Sequence, residues 1–133
     1  MLVARDAGRS RLSVCGYLVD VYCLGVKNVV GPLVMSAGQC AQYTRTFFDA
    51  FDAPPLEVPL DLAQELVFGA VDYARSLGFE PMSEFDDVKG HLGAWCGPSS
   101  IGFGLDGKPF YVGGPYDDTH QVLRQLELAA VEV

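Results

Sequence analysis

Residues 14–26 are the most apolar part of the chain, and the pattern around them predicts β structure. Apolar residues occupy both alternating sets of positions between residues 11 and 27, as in a central strand or strand pair that is covered on both faces. A shorter apolar segment precedes this run, separated from it by the polar residues 6–10. The pattern therefore predicts an antiparallel hairpin over residues 2–27, with a bulge or bend at Gly16.

Apolar residues then recur at helical spacing in four further segments. These segments predict helices over residues 37–51, 61–77, 84–92 and 118–130. Ser36 and Gln39 form a capping-box pair before the first helix, and Asp61 with Gln64 gives the second helix the same signal. Gly78 stands just beyond the second helix, at the position where a glycine commonly ends a helix.

A second hairpin is predicted over residues 101–112, because Asp106-Gly107 lies between alternating apolar residues and tolerates the positive φ of a tight turn. The order of elements is hairpin, three helices, hairpin and helix. It predicts an α+β fold in which both hairpins form one antiparallel sheet and three to four helices pack on it. The chain of 133 residues is expected to fold as a single globular domain, residues 1–133, and to bury roughly two thirds of its unfolded surface.

Composition and charge narrow the classes of function. Half of the residues are hydrophobic and 20% are charged, which excludes a disordered or collagen-like chain. The net charge is −8, with +2 on residues 1–30 and −10 on residues 31–133. Such an acidic chain repels phosphate backbones, so a large nucleic-acid interface is disfavoured. The arginines near the N-terminus either form a small anion site or, as we favour, are solubilising charges around a hairpin turn.

The cysteines and the absence of targeting signals indicate a cytoplasmic protein. The four cysteines show neither a CxxC pair nor the spacing of a metal finger, and are Cys15, Cys23, Cys40 and Cys96. We expect them to be reduced thiols, because a chain of this length folds without disulfides. The first residues lack the apolar region of a signal peptide, and charged residues and glycines interrupt the apolar run below membrane-spanning length. Neither secretion nor membrane insertion is expected.

Asp20 is the first candidate for chemistry, because it is the only carboxylate or base within the apolar run. A carboxylate in such a place needs hydrogen bonds, a cation or a metal ion to offset its lost hydration. Asp20 is therefore a candidate metal ligand or general base. The interpretation we favour is a hydrogen-bond acceptor at a strand end. Lys27 is a nearby cation, but its odd spacing from Asp20 places it on the opposite face of a regular strand.

A second candidate site lies where Gly113-Gly114-Pro115 leads into the last predicted helix. Asp117 and Asp118 follow, and loop carboxylates in such a place can bind a divalent cation. Carboxylates also cap a helix N-terminus and oppose its dipole, and this interpretation is favoured here. The full candidate polar site comprises Asp20, Lys27, Tyr116, Asp117, Asp118 and His120.

Other chemical signals in the chain are nonspecific. His91 and Cys96 could bind zinc if the fold brought Cys23 or Cys40 beside them, and a cysteine with a histidine could also act as nucleophile and base. Neither pair has a diagnostic spacing. No phosphate-binding loop or nucleophile elbow occurs in the sequence. We therefore predict neither a metal site nor a cofactor.

Three strings of the sequence carry a resemblance to known proteins. They are YLVDVYCLGVK at 17–27, GAVDYARSLGFEP at 69–81 and DGKPFYVGGPYDD at 106–118. Together they resemble an uncharacterised family of conserved bacterial proteins, some members of which carry an additional SEC-C or helix-turn-helix segment. The resemblance extends over nearly the whole chain and implies no catalytic role, because the family has no established activity. It also implies that longer relatives have extra residues before the first hairpin.

The leading hypothesis is a small cytoplasmic, non-catalytic binding or protein-interaction module. Its partner would be another protein or a second copy of the chain, met through an exposed sheet edge or the apolar helix at 36–51. The alternative is a divalent-metal-dependent hydrolase, which requires Asp20, Asp117 and Asp118 to converge within about 5 Å, with His91 or His120 nearby. A third hypothesis, an RNA-associated module, is based on the resemblance alone and conflicts with the acidic charge.

Overall fold

The structure is a computed structural model and describes residues 1–131. Its sheet has three antiparallel strands in the order β1-β2-β3, with bounds β1 Leu2–Gly8, β2 Arg11–Asp20 and β3 Gly25–Ser36. Arg9 and Ser10 form the turn between β1 and β2, with φ of 53° and 60°. Two residues in the left-handed region match the twist of a tight hairpin. The predicted first hairpin is confirmed, and a third strand extends it.

The arm predicted over residues 11–27 is two strands joined by a turn at residues 21–24. The second of these, β3, passes through Gly31-Pro32, a pair that argues against a strand because proline donates no ladder hydrogen bond. The structure places this pair where the register between β2 and β3 shifts, between the pairs Val14–Leu33 and Gly16–Val30. A β-bulge accommodates the proline there, close to the irregularity predicted at Gly16.

The described residues form four α-helices and one 3₁₀ turn. Their bounds are α1 Ala37–Phe48, α2 Leu60–Ser76, α3 Phe85–Val88, the 3₁₀ turn Lys89–Leu92 and α4 Thr119–Val131. The α+β class is thus confirmed. Ser36 caps α1 in a capping box with Gln39, as predicted. The predicted cap at Asp61 is wrong, because α2 begins one residue earlier, after Pro59, without a side-chain cap. No helix within residues 1–131 is long and apolar enough to cross a bilayer.

The second predicted hairpin, residues 101–112, contributes no strand to the sheet. Its turn is present, since Asp106-Gly107 has positive φ at both residues, but a single isolated bridge is the pairing found across it among the described residues. The N–H groups of Gly104 and Phe110 donate instead to carbonyls of the turn between β2 and β3. Pro109 has no N–H to donate. The prediction of a sheet built from two hairpins is therefore wrong.

Helices pack on both faces of the sheet, but the helices on one face are much more buried than the helix on the other. On one face, Val3, Cys15 and Tyr17 pack against the helices. Their buried partners there are Ala63, Val67 and Val71 of α2, Phe85 and Val88 of α3, and Leu92. Complete burial of a large apolar side chain contributes about 1.5–3 kcal/mol, so this layer supplies most of the core. On the other face lies α1, in which none of the residues Ala37–Phe48 is buried.

Close packing of α1 on the sheet depends on Gly16. A Cβ at this position would lie 3.2 Å from the ring of Phe47 in α1 and 2.6 Å from Val30 in β3. The glycine therefore lets the aromatic side of α1 approach β2. Residues 49–59 then carry the chain from α1, on one face of the sheet, to α2 on the other.

Candidate functional site

Asp20 lies at the end of β2, and the turn that follows uses its carboxylate. Oδ1 accepts the N–H of Tyr22 at 2.9 Å and Oδ2 accepts the N–H of Leu24 at 3.1 Å. Aspartates commonly stabilise turns in this way. Asp20 is partly exposed, so it is not the fully desolvated group that the apolar run suggested. The geometry agrees with the interpretation of a strand-end acceptor.

Lys27 and Asp117, both members of the candidate polar site, contact each other. Nζ of Lys27 in β3 lies 3.1 Å from Oδ2 of Asp117, and the side chains are 25% and 13% exposed. The same oxygen accepts the hydroxyl of Tyr111 at 3.1 Å and the N–H of Gly114 at 2.8 Å. A Cβ on Gly114 would lie 3.0 Å from Nζ of Lys27, so the glycine leaves room for the lysine.

These donors hold the pKa of Asp117 below its ordinary range. The N–H of Gly114 is the largest cause, followed by hydrogen bonds from Lys27 and Tyr111 and by the charge of Lys27, while partial burial opposes them. Asp117 is therefore ionised at neutral pH. A carboxylate stabilised in its charged form is a weak general base, so the cluster is suited to anchoring the loop before α4.

The remaining predicted residues surround the start of α4. Oδ1 of Asp118 accepts the N–H of Gln121 at 3.1 Å, as the capping interpretation predicts. For Asp117 that interpretation is wrong, because its carboxylate accepts from Gly114, Lys27 and Tyr111 and not from the first turn of α4. His120 is exposed in the first turn of α4, and Tyr116 is 99% exposed in the preceding loop. Neither His120 nor Tyr116 is enclosed by a cleft.

The carboxylates do not assemble a metal centre. Within residues 1–131, no three side chains of histidine, cysteine, aspartate or glutamate are grouped so that they could hold a metal ion. Asp20, Asp117 and Asp118 therefore lack the convergence that the hydrolase alternative requires. His91 and Cys96 are not grouped for zinc either. The Nε2 atom of His91 lies 2.8 Å from the carbonyl of Ser13.

A cavity of about 740 Å³ lies at the β1 edge of the sheet. We call it the edge groove; its lining residues fall within 1–4, 14–21, 40–51 and 55–66. They come from β1, β2, α1, the connection at 49–59 and the start of α2, and most are apolar. Glu57 is the one carboxylate among the lining residues. Cavities of this size and lining commonly bind ligands.

The edge groove extends around both faces of the sheet. Phe48 of α1 lines it on one side, Leu66 of α2 lines it on the other, and Leu56 and Val58 of the connection lie between them. Strand β1 is therefore flanked by apolar side chains above and below its outer edge.

The outer edge of β1 has free backbone groups. Met1 and Tyr17 form a hydrogen-bonded pair, in which the nitrogen of each residue donates to the carbonyl of the other at 2.7 and 2.8 Å. In an antiparallel ladder, hydrogen-bonded pairs alternate with pairs whose backbone groups point outward. The backbone groups of Leu2 and Ala4 consequently point away from β2. Among the described residues, none bonds to these outward groups of Leu2 and Ala4. The edge groove thus contains an open strand edge.

The groove itself is not evident from the sequence, although the two surfaces proposed for association, a sheet edge and the helix at 36–51, both border it. One local signal is present in the sequence: Leu56 stands between prolines, and it is 87% exposed in the structure. The lining comes from four separated segments, which only the fold brings together. Comparisons of the chain with models of known families, with curated proteins and with solved structures find no match.

Proposed function

We propose that this protein is a non-catalytic, cytoplasmic protein-interaction module that binds an apolar segment of a partner in the edge groove. The observation that carries the proposal is an apolar cavity of about 740 Å³ that contains an unpaired strand edge. Exposed apolar side chains at its border, Leu18, Phe51 and Leu56, add to the surface available for contact. Contiguous apolar surface of this kind commonly marks an interaction site.

The polar groups of the lining favour binding over catalysis. The hydroxyl of Tyr17 donates to the carbonyl of Val88 at 2.7 Å, and that of Thr44 donates to the carbonyl of Cys40 at 2.8 Å. Both hydroxyls are therefore occupied by the protein's own backbone. A general acid–base reaction needs positioned proton donors and acceptors. Glu57, the thiol of Cys40 and the terminal amine of Met1 also line the groove, but none of the three hydrogen-bonds to another, and the amine donates to the carbonyl of Tyr17.

The cytoplasmic assignment is supported by the cysteines. Cys15, Cys23, Cys40 and Cys96 are all free thiols. Free cysteines in this number are typical of a reducing compartment.

Binding of the neutral dye Nile red tests whether the groove accepts an apolar occupant. Ala4→Trp places an indole in the groove, whereas Ala41→Trp adds the same side chain on an exposed part of α1 outside the lining. We expect Nile red fluorescence to rise with wild type and Ala41→Trp, and to fall at least about fivefold with Ala4→Trp. Equal fluorescence with both variants, when both have native circular dichroism, would place the apolar site elsewhere.

A second copy of the chain is the other occupant to consider, because two β1 edges could pair across a twofold axis. The net charge of −8 on each chain opposes this association. We expect light scattering to give a monomer at micromolar concentration. If wild type is a dimer and Ala4→Trp dissociates it, the occupant of the edge groove is a second copy of the chain and not a partner protein.

A further inference from the structure

The charge around the edge groove restricts its occupant. Between Arg45 and Arg75 the sequence contains no lysine, arginine or histidine. The carboxylates of this stretch are Asp49, Asp52, Glu57, Asp61, Glu65 and Asp72. Glu57 lines the groove, and Asp49, Asp52 and Asp61 each follow a lining residue directly in the chain. All four are exposed, so every charged side chain on the border of the groove formed by residues 49–61 is negative.

The nearest arginines do not neutralise this border. Arg5 of β1 is not among the lining residues, and its Nε donates to the carbonyl of His91 at 2.8 Å. Arg45 is exposed on α1, outside the lining. Among the lining residues the one cation is the terminal ammonium of Met1, which already donates to the carbonyl of Tyr17 at 2.7 Å. The carboxylates of the border therefore lack a cationic partner from the lining, and electrostatic complementarity would favour a basic occupant.

The backbone of β1 indicates how the occupant binds. The outward N–H and C=O groups of Leu2 and Ala4 are available to a neighbouring strand, and main-chain hydrogen bonds to a sheet edge are a common mode of peptide recognition. An added strand would meet apolar residues of α1 on one face and of α2 on the other. Both alternating sets of its side chains would then be covered, which favours a continuous apolar run.

We propose that the occupant is an extended segment of a partner protein that adds to β1 as a fourth strand, and that its short apolar run is flanked by lysine or arginine. The inference rests on the proposed function, since it assigns the chemistry of the same groove. The lining residues along this edge, Met1 and residues 2–4 of β1, limit the apolar run to about four or five residues. A fatty acid is disfavoured, because its carboxylate would meet the negative border.

Selection from a randomised library of displayed peptides, about ten residues long, tests this specificity and requires no identified partner. The full chain is the bait, and Ala4→Trp provides the counter-selection. We expect enriched peptides to combine an apolar run with basic flanking residues. Absence of enrichment over Ala4→Trp, or enrichment of apolar runs without basic flanks, would overturn the inference. Nile red binding at the groove would be unaffected by that result, so the two proposals can fail separately.

Charge variants test the role of the border. The triple variant Asp49→Asn, Asp52→Asn, Glu57→Gln removes three carboxylates there. The control, Glu84→Gln, Asp87→Asn, Asp106→Asn, removes three exposed carboxylates that do not line the groove. We expect the first variant to weaken binding of a selected peptide about tenfold at low salt and the control to change it much less. Equal weakening would show that net charge, and not this border, attracts the peptide.

Backbone modification of the selected peptide tests strand addition. Two isomers of the peptide are compared, each methylated at every second backbone nitrogen. In one isomer the methyl groups replace the N–H donors that face β1, and in the other they replace the donors that face away from it. We expect only the first isomer to lose binding, and we expect Ala4→Pro, which removes the outward N–H of Ala4, to weaken binding relative to Ala4→Ser. Bound peptide should also slow alkylation of Cys40, which lines the groove, and leave the exposed Cys96 unchanged. Equal binding by both isomers, or unchanged reactivity of Cys40, would exclude this mode.

Discussion

Lys27 and Asp117 lie 90 residues apart in the chain and form an ion pair, with Nζ 3.1 Å from Oδ2. The pair joins β3 to the loop that precedes α4. A second tie of this segment is the bond from Nε2 of Gln125 to the carbonyl of Leu77, at 3.0 Å. The ion pair therefore holds the start of α4 against the sheet, and removing it should loosen the C-terminal part of the described chain.

Asp117→Asn should lower the free energy of unfolding by about 1 kcal/mol near neutral pH, because Lys27 then lacks an ionised partner. The folded-state pKa of Asp117 is lowered, so its contribution is complete above the ordinary aspartate pKa of about 3.9 and is lost as the pH falls through the folded-state value. The difference between wild type and variant should therefore shrink on acidification. Urea unfolding at about pH 7 and about pH 3 measures it.

Asp118→Asn is the control for this variant, because asparagine caps a helix about as well as aspartate. It should leave the free energy of unfolding nearly unchanged at both pH values. A difference between wild type and Asp117→Asn that stays constant on acidification would show that the ionised carboxylate is not the source of the effect.

Tyr17→Phe should lower the free energy of unfolding by about 1–2 kcal/mol, because it removes a buried hydrogen bond and keeps the aromatic ring. The hydroxyl of Tyr17 donates to the carbonyl of Val88 at 2.7 Å and joins β2 to α3. Burial is the main cause of the raised pKa of Tyr17, so the group stays neutral across the accessible pH range. Tyr116→Phe is the matched change at a residue that is 99% exposed, and it should alter stability by less than about 0.5 kcal/mol. Equal effects in urea unfolding would contradict the assigned role of Tyr17.

Two helical glycines should respond oppositely to alanine. A Cβ on Gly69 in α2 would lie 2.7 Å from the ring of Phe103 and 2.8 Å from Cβ of Ser99, whereas a Cβ on Gly38 in α1 would meet nothing within 4 Å. Gly69→Ala should therefore destabilise by about 1–3 kcal/mol through overpacking. Gly38→Ala should stabilise by about 0.5 kcal/mol through helix propensity. Thermal unfolding of both variants measures the contrast, and stabilisation by Gly69→Ala would show that the loop at 99–103 does not pack on α2.

The elements that the sequence predicts correctly are those with local signals. The capping box at Ser36 and the glycine at Gly78, which has a φ of 93°, depend on residues within one turn of a helix. Residues 28–36 of β3 are not predicted, because Gly31-Pro32 argues against a strand unless a bulge is known to be there. The turn at Asp106-Gly107 is predicted correctly, but tertiary contacts with the turn after β2 decide the hydrogen bonds of its flanks.

The candidate site shows the same division between local and tertiary information. Capping of α4 by Asp118 depends on its neighbours in the chain, and it is the interpretation that the sequence favours. Lys27 and Asp117 enter one candidate site through their residue types, but their contact and its geometry depend on the fold. The edge groove is not predicted from the sequence, because each segment of its apolar lining resembles either an ordinary core segment or an exposed turn. Its open edge follows from strand order, which the sequence pattern leaves undetermined.

The four cysteines should differ widely in reactivity, because thiolates, and not thiols, react with iodoacetamide. Burial, followed by the charge of Asp20, raises the pKa of Cys23 to about 11, and burial also raises the pKa of Cys15. Cys96 is exposed and Cys40 is half-buried. Near pH 8, native protein should be alkylated fastest at Cys96 and more slowly at Cys40. Cys15 and Cys23 should react only after unfolding.

Peptide mass spectrometry at several times of labelling would resolve the four sites, and protein in urea would provide the fully reactive reference. The order follows from packing, since Cys15 and Cys23 are 0% exposed. Rapid labelling of Cys23 in protein with native circular dichroism would mean that the turn at 21–24 opens readily. In that event the segment at 104–110, which bonds to this turn, would have to separate from it as well. Slow labelling of Cys23 together with fast labelling of Cys96 would instead indicate that this turn stays closed in the native protein.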